Sequence, residues 1–483
     1  MQHSIDKYVC FIILQLILYS CLDTDLYEGD SLPGGELMLY HYPYGNEARN
    51  VIAEITLLTS TTPEMNQIEM EIPMLKYNKS WLFMLTQDDN SHTSYCVTWA
   101  AINNKPLSRS YFYSSEQLAA GDLPPDYITF NKALGSSDGA GKEIRFAFTT
   151  TLLPETNVME EKPIVRAGLK KNFYRFSKMN GLSWNNLMEM LPYDTGIAFH
   201  NLDTKSRDNI DSLRKHLEIA QQITLSKLSG RGLKSLAEPD GNHNYLLAGL
   251  DYNPIRVMTA QGTHSSGPTV EKFYPFKIEL NRTKLILQRT FYNSTFDITS
   301  HIEKELRKQK EEREAIHVGI HSADLTFAQF LLWLNDNYGK DGDDSVWFPS
   351  MEEYYEYYYY RANSKIDHEV NGNTLKLRIT LPTEQYFYYP SLTINLKGIT
   401  YNQISQVLSN DAVTGLSYAP YEGGVMLNID CRRFLVELAA HYVDKYQRYN
   451  TVSNKSDAIY FIKKLKDSPE KDALANKIPG YIK

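Results

Sequence analysis

The sequence predicts an α/β fold built on parallel strands, followed by a smaller β-rich region. Between about residues 80 and 361, apolar strand-like segments alternate with helical segments, the pattern typical of α/β folds. The run Trp81–Gln87 is almost continuously apolar, which predicts a strand buried on both faces. After about residue 364, strictly alternating segments follow instead, and these predict antiparallel strands.

The elements follow from these patterns in chain order. Strand patterns also occur between residues 36 and 76. Predicted strands of the α/β region cover 81–87, 145–149, 195–199, 234–237, 255–260 and 316–320. Helical spacing predicts one helix from near Ser206 and another over 325–338, and the charged stretch 303–314 predicts a solvated helix face. The tyrosine-rich run 353–361 predicts an exposed helix. The last part predicts strands at 373–381, 392–396 and 425–429 and helices at 433–449 and 457–466.

A chain of 483 residues is long enough for two or three domains. The predicted organisation is a signal peptide at 1–21, a linker with N-terminal strands at 22–77, a barrel at 78–363, and a β-rich domain with C-terminal helices at 364–483.

The N-terminus predicts export. Lys7 precedes a short apolar run that ends at Leu18, too short for a comfortable membrane span. Leu18-Tyr-Ser-Cys21 resembles a bacterial lipobox, which implies a lipid anchor on Cys21 and a place in the cell envelope, at the outer membrane surface. The alternative is an ordinary cleaved secretory signal.

Composition excludes some functions. The net charge of −8 and the pI of about 5.9 argue against nucleic acid as a partner. The 35 tyrosines suit sugar surfaces, although packing explains such a number equally well. Two of the four cysteines lie in the first 21 residues, and the others, Cys96 and Cys431, are far apart, so neither a disulfide framework nor a cysteine metal site is expected.

Acids and histidines follow several of the predicted strands. In chain order these residues are Asp88 and Asp89, His200, Glu238 and His243, His264, and His321. Each has an ordinary structural explanation by itself, but a parallel barrel would bring all of them to one rim. Two carboxylates and several imidazoles suit a divalent metal such as zinc. With a carboxylate base and a histidine acid, such a rim predicts metal-assisted hydrolysis of an amide or ester.

The same segments resemble the motifs of polysaccharide deacetylases. Thr86-Gln-Asp88-Asp89-Asn90 resembles the first motif, TFDDG. His200 matches the first histidine of the second motif, H(S/T)xxH, and Thr204 stands where its second histidine would be. Ala237-Glu-Pro-Asp-Gly241 resembles RxPxG without the arginine, and Val318-Gly-Ile-His321 resembles the last motif.

This resemblance covers about residues 78 to 361. It implies a distorted (β/α) barrel and gives a role to each of the matching site residues. It implies that Asp88 is the catalytic base, that Asp89 and His200 bind a divalent metal, zinc, and that His321 is the general acid. It also implies an acetylated glycan as substrate, from which the enzyme removes acetyl groups.

The sequence does not identify the third metal ligand, because Thr204 cannot replace an imidazole and is expected to cap the following helix. Asp203 and His243 are the first candidates, and His264 and His92 are others. Glu238, Asp240 and Trp347 are the predicted substrate-binding residues.

Two other functions compete with the hydrolase. The protein could be a catalytically degraded member of the same fold that only binds glycan, since Thr204 departs from the second motif and a fold does not guarantee its usual function. A purely structural envelope protein would not need acids and histidines at the ends of its strands.

Overall fold

The computed structural model describes residues 44–160, 173–177, 181–205, 207–262, 268, 270, 272–280 and 282–481. The predicted signal peptide with Cys21, and the candidate ligand His264, lie outside these ranges. Within them, no helix combines the length and the apolar character needed to cross a membrane.

The strands are β1 Arg49–Thr59, β2 Glu69–Glu71, β3 Trp81–Gln87, β4 Gly135–Ser137, β5 Glu143–Arg145, β6 Thr149–Leu152, β7 Gly196–Phe199, β8 Ser235–Ala237, β9 Val257–Ala260, β10 Leu285–Gln288, β11 Thr290–Phe291, β12 Ile316–Ile320, β13 Val346–Trp347, β14 Lys365–Asn371, β15 Thr374–Thr383, β16 Ser391–Lys397, β17 Ile404–Ser409, β18 Gly415–Tyr421 and β19 Gly424–Asp430. The main helices are α1 Ser115–Ala120, α2 Trp184–Met190, α3 Ile210–Lys227, α4 Asn244–Asp251, α5 Thr295–Leu306, α6 Leu325–Tyr338, α7 Met351–Asn363, α8 Leu435–Arg448, α9 Val452–Lys464 and α10 Pro469–Ala475.

Eight parallel strands form a nearly closed barrel, in the order β10-β9-β8-β7-β6-β3-β12-β11. The two ends of this order are adjacent in sequence: β10 pairs with β9, one residue follows, and β11 pairs with β12. The single segment from Leu285 to Phe291 therefore bridges the two edges, with Arg289 at the point where the pairing changes. The predicted (β/α) barrel is confirmed.

β3 lies where the sequence places it and is buried along its whole length. It pairs with β12 on one side and β6 on the other, and Thr86 lies opposite both Gly319 and Thr149. Neighbouring parallel strands bring their carboxyl ends to the same edge of the sheet. The carboxyl ends of these three strands therefore meet at one rim, where the chain enters Asp88.

The second part of the fold consists of two four-stranded antiparallel sheets, in the orders β14-β15-β1-β17 and β18-β19-β16-β2. β1 and β2 precede the barrel in sequence, yet β1 lies between β15 and β17, and β2 pairs with β16. The β-rich part therefore takes strands from both sides of the barrel sequence.

The tyrosine-rich helix α7 is buried, and the prediction that it is exposed is wrong. Its buried residues include five tyrosines and the acids Glu352, Glu353 and Glu356. The helix contributes tyrosines to the core shared with the antiparallel sheets, and the hydroxyls of Tyr355 and Tyr358 donate to the carbonyls of Thr283 and Glu279 at 2.6 and 2.7 Å. Tyrosine serves here as a packing residue whose polar end finds a buried acceptor.

Other boundaries differ in detail. The helix predicted from near Ser206 begins at Ile210, because the side chain of Asn209 caps it by accepting the backbone N–H of Ser212 at 2.9 Å. The strand predicted at 145–149 is replaced by β5, which ends at 145, and β6, which begins at 149. The closing helices at α8 and α9 are confirmed, and they pack with α10 on the barrel core rather than on the sheets.

Candidate active site

The two adjacent acids at the end of β3 occupy opposite environments. The backbone N–H of Asp88 donates to the carbonyl of Ile320 at 2.8 Å, which continues the β3–β12 pairing one residue past the strand. Asp88 is 2% exposed. Asp89 then adopts a left-handed conformation with a φ of 62°, and its side chain is 60% exposed. The turn therefore points one carboxylate into the protein and the other outward.

Asp89 and His200 come together at the rim. The Nε2 atom of His200, which follows β7, lies 3.4 Å from Oδ1 of Asp89. The Nδ1 atom of His200 lies 2.9 Å from the carbonyl of Ala237 at the end of β8, so this nitrogen is the donor and Nε2 faces Asp89. The contact with His200 lowers the pKa of Asp89. Burial alone would lower the pKa of His200, but Asp89 and the charge of Asp88 raise it.

A residue that the sequence did not indicate holds Asp88. Nη1 of Arg289 donates to Oδ1 of Asp88 at 2.7 Å, and Nη2 donates to the carbonyl of Glu238 at 2.6 Å. The guanidinium is completely buried. An apolar strand pattern at Leu285-Ile-Leu was available as a signal, but nothing in it shows that Arg289 faces Asp88. Arg289 thus joins the loop after β3 to the loop after β8 at this rim.

Glu238, predicted to bind substrate, is fully buried and contacts the protein instead. Its Oε1 accepts the backbone N–H of Gln261 at 3.1 Å, and its Oε2 lies 3.4 Å from Nε2 of His243. His243, a candidate metal ligand, is also buried, at the start of α4. The bond from Gln261 to Glu238 ties the loop after β8 to the loop after β9. The contacts of Glu238 and His243 do not bring either side chain to Asp89.

His321, the predicted general acid, is exposed directly after β12. Its ring stacks on Phe291 with 4.9 Å between the ring centroids and 25° between the planes. Its charge contributes to the lowered pKa of Asp89, so the two side chains share the rim. Phe291 orients the imidazole without using either ring nitrogen.

The remaining candidates for the third metal ligand make other contacts. Asp203 accepts the backbone N–H of Lys205 at 2.8 Å and lies 3.5 Å from Arg207. Both ring nitrogens of His92 face backbone carbonyls, of Gly181 at 3.1 Å and Tyr113 at 2.6 Å. Thr204 is exposed and does not cap the helix, since Asn209 has that position.

Two predicted substrate-binding residues lie in different places. Asp240 is exposed in a left-handed turn after β8, on the rim. Trp347 is 2% exposed, and its strand β13 pairs with the first residues of β3, Trp81 and Leu82. Trp347 therefore packs in the core at the far end of β3 from Asp88, against Tyr354 and Tyr357.

Asp89 and His200 fit a zinc-type ion. Two ligands at a tetrahedral centre with bonds of about 2.1 Å are about 3.4 Å apart, which is the separation of Asp89 Oδ1 and His200 Nε2. Among the described residues, no third histidine, cysteine or acid forms a close group with these two. The trio that does form, His301, Glu305 and Glu314, is bound by lysines, since Lys308 donates to Glu305 at 2.6 Å and Lys272 to Glu314 at 2.8 Å.

The fold and the rim define the class: a parallel (β/α) barrel whose acids and histidines gather at the carboxyl ends of its strands, where the chemistry of such barrels takes place. A family model described as "Putative polysaccharide deacetylase" matches residues 53–479. The chain belongs to this polysaccharide deacetylase family, and its function is of the deacetylase type. The matched range includes the antiparallel sheets and the closing helices as well as the barrel. No curated protein matches the chain.

Proposed function

We propose that this protein is a metal-dependent hydrolase that removes acetyl groups from a polysaccharide or oligosaccharide at the cell surface. The observation that carries the proposal is the pairing of two acids with two different partners, Asp88 with Arg289 and Asp89 with His200, at 2.7 and 3.4 Å on one barrel rim. Asp88, held by Arg289, is available as a base, and Asp89 and His200 are available as two metal ligands.

Asp88 is the proposed base. Arginine carries a fixed positive charge, and Arg289 places this charge directly against the carboxylate of Asp88. The bond from Arg289 engages Oδ1. Asp88 takes a proton from the water that attacks the acetyl carbonyl, and Arg289 fixes the direction in which it does so.

Asp89 and His200 are the proposed metal ligands. When bound, a zinc-type ion polarises the acetyl carbonyl and lowers the pKa of water. Ala237 fixes the ring of His200 through its carbonyl, so Nε2 is directed to the ligand position. The exposure of Asp89 keeps this position open to a glycan from solvent.

His321 is the proposed general acid. Its exposed ring, oriented by Phe291, lies on the same rim as Asp89. It protonates the amine or alcohol that leaves when the acetyl group departs.

Metal content and deacetylase activity of the purified protein test the proposal together. We expect about one zinc per chain in the wild type and its loss in Asp89→Ala and His200→Ala. Asp336→Asn is the control, because Asp336 on α6 is a 45% exposed partner of Lys132, and it should keep the metal. A metal-free wild type that deacetylates no acetylated oligosaccharide, even with added zinc, would overturn the proposal.

His321→Ala separates the acid from the ligands. Turnover should fall by about 100-fold or more while metal content is retained, and His368→Ala on β14 serves as the control. An equal loss of metal and turnover would contradict the role of general acid.

A second candidate function is glycan binding on a barrel that has lost catalysis. The described residues offer two close metal ligands rather than three, and this observation favours it. Retained binding of acetylated oligosaccharide by a wild type without activity would select this function over the first.

The proposed location depends on Cys21, in the lipobox-like segment. We expect metabolic labelling with palmitate in the bacterial envelope for the wild type and none for Cys21→Ala. An unlabelled wild type that is released in soluble form would instead indicate a cleaved secretory signal.

A further inference from the structure

A cavity opens at the end of the barrel opposite to Asp88. It leaves about 100 Å³ for water-sized molecules and is bordered by Asp194, just before β7, and Arg231, before β8. It therefore lies at the amino ends of the parallel strands. The four residues of β7, about 13 Å of extended chain, lie between Asp194 and His200, so this cavity is separate from the rim described above.

Aromatic side chains form much of the cavity wall. They are Tyr44, Phe387, Tyr388, Tyr389 and Phe434. The rings of Tyr44 and Tyr388 meet edge to face, 4.9 Å apart. The Tyr388 hydroxyl accepts the backbone N–H of Gly232 at 2.7 Å and donates to Asn46 at 2.8 Å. These contacts hold the rings in place before a ligand arrives, and flat rings with polar tips suit a sugar.

The cavity is positively charged, although the whole chain has a net charge of −8. Its lining contains the arginines 49, 231, 432 and 433 and a single acid, Asp194. Arg231 is paired with Glu352, and Arg432 with Asp194 and Asp430. Arg49 and Arg433 have no ion-pair partner among the described residues, and both are exposed. The cavity thus offers two unused positive charges at its opening.

Arg231 adds a buried donor to the same wall. Its side chain is 1% exposed, its Nη2 donates to Glu352 at 2.6 Å, and its guanidinium lies 3.8 Å from the ring centre of Tyr388. Its Nη1 has no hydrogen-bond partner within the described part of the chain. Because Nη1 is enclosed, Arg231 contributes a fixed positive charge to this wall and no direct contact for a ligand.

We propose that this cavity binds an acidic sugar unit, with its carboxylate on Arg49 and Arg433 and its ring against the tyrosines. Arginine binds carboxylates through two parallel N–H groups, and the aromatic rings contact the apolar face of the sugar. The choice of a sugar over other carboxylates rests on the proposed deacetylase function. The site would hold a glycan at one end of the barrel while another part of the glycan reaches the rim.

Isothermal titration of the full chain with D-glucuronic acid, D-glucose and acetate tests the inference. We expect glucuronic acid to bind at least about tenfold more tightly than glucose or acetate. Arg433→Gln and Arg49→Gln should each weaken glucuronic acid by about tenfold. Arg307→Gln, which changes an 82% exposed arginine directly after α5, is the matched control and should leave the affinity unchanged.

Three outcomes would overturn the inference: no binding of glucuronic acid by the wild type, unchanged affinity in both cavity variants, or equal affinity for acetate. Asp89→Ala distinguishes this site from the rim, since it should abolish deacetylation and keep the affinity for glucuronic acid. An inactive wild type that binds glucuronic acid contradicts the proposed function alone. An active wild type that does not bind it contradicts this inference alone.

Discussion

At the scale of single residues, the consecutive acids Asp88 and Asp89 differ in role because the backbone turns between them. Asp88 continues the extended pairing with β12, whereas Asp89 has a φ of 62° and faces solvent. Asx residues tolerate this left-handed conformation better than most others. A strand end followed by two such residues can therefore present one buried and one exposed carboxylate within a single turn.

Arg289→Lys tests the positioning of the buried carboxylate. Arg289 bridges Asp88 and the carbonyl of Glu238 with separate nitrogens at 2.7 and 2.6 Å, and a lysine ammonium cannot reproduce this planar fork. We expect kcat to fall by about 10- to 100-fold with KM and zinc content little changed, measured by steady-state kinetics and metal analysis.

The control for this variant is Arg313→Lys, because Arg313 donates to the carbonyl of Ser80 before β3, away from the rim. An Arg289→Lys variant whose kcat equals that of the wild type would contradict the positioning role. Loss of zinc in step with kcat would instead show that Arg289 maintains the metal site.

The site was predictable from sequence only in part. Asp88, Asp89, His200 and His321 stand at strand ends that apolar runs mark, and the structure places all four on one rim. Arg289 lies in a segment that changes its pairing partner from β9 to β12, and periodicity carries no information about that change.

At the scale of elements, α7 shows why a polar-looking helix can be buried. Its acids face cations from the barrel: Glu352 pairs with Arg231, and Glu356 pairs with Lys234 at 2.6 Å, with all four side chains at most 1% exposed. Tyrosine and glutamate produce little hydrophobic periodicity, so the pattern indicates a solvated helix. Only the cations supplied by other segments make burial possible.

Glu356→Gln tests this buried pairing. The Glu356 carboxylate accepts Lys234 Nζ and the backbone N–H groups of Tyr388 and Tyr389 at 2.7 and 2.6 Å. An amide has only one acceptor oxygen and leaves Lys234 poorly compensated. We expect the free energy of unfolding to fall by about 3–5 kcal/mol, measured by urea denaturation.

The matched control is Glu384→Gln, because Glu384 is 39% exposed and lies 3.7 Å from Arg256. That change should cost at most about 1 kcal/mol. Equal losses in the two variants would show that the buried cluster does not contribute specially to stability.

At the scale of the whole molecule, the barrel, the sheets and the closing helices depend on one another. β1 and β2 precede the barrel in sequence but pair with strands that follow it. The helices α8 to α10 come last in sequence and pack on the barrel core. Local patterns predicted these strands and helices but not their exchange, because pairing across more than 300 residues leaves no mark on periodicity. Asp194, just before β7, lies where these parts meet. Its carboxylate accepts a hydrogen bond from Arg432, which follows β19, at 2.5 Å, and another from Lys464 of α9 at 2.7 Å.

Asp194→Asn tests this junction through its pH dependence. Burial alone would raise the pKa of Asp194, but Arg432 and Lys464 outweigh it and lower the pKa from 3.8 to about 2. Because the pKa of Asp194 is lower in the folded state than in the unfolded state, the ionised carboxylate stabilises the fold. This contribution is complete above the unfolded pKa and is lost as the pH falls through 2. A difference of this size corresponds to about 2 kcal/mol at pH 7. We expect Asp194→Asn to be less stable than the wild type by that amount at pH 7.

The difference between the two proteins should fall to about half at pH 3, and urea denaturation between pH 7 and pH 3 measures it. Asp336→Asn, which removes a 45% exposed partner of Lys132, is the control and should change stability by less than about 1 kcal/mol throughout. A difference that stays constant from pH 7 to pH 3 would show that the ionised form of Asp194 does not hold the three parts together. A difference that shrinks with the pH would place a charged junction, and not apolar packing alone, between the barrel, the sheets and the closing helices.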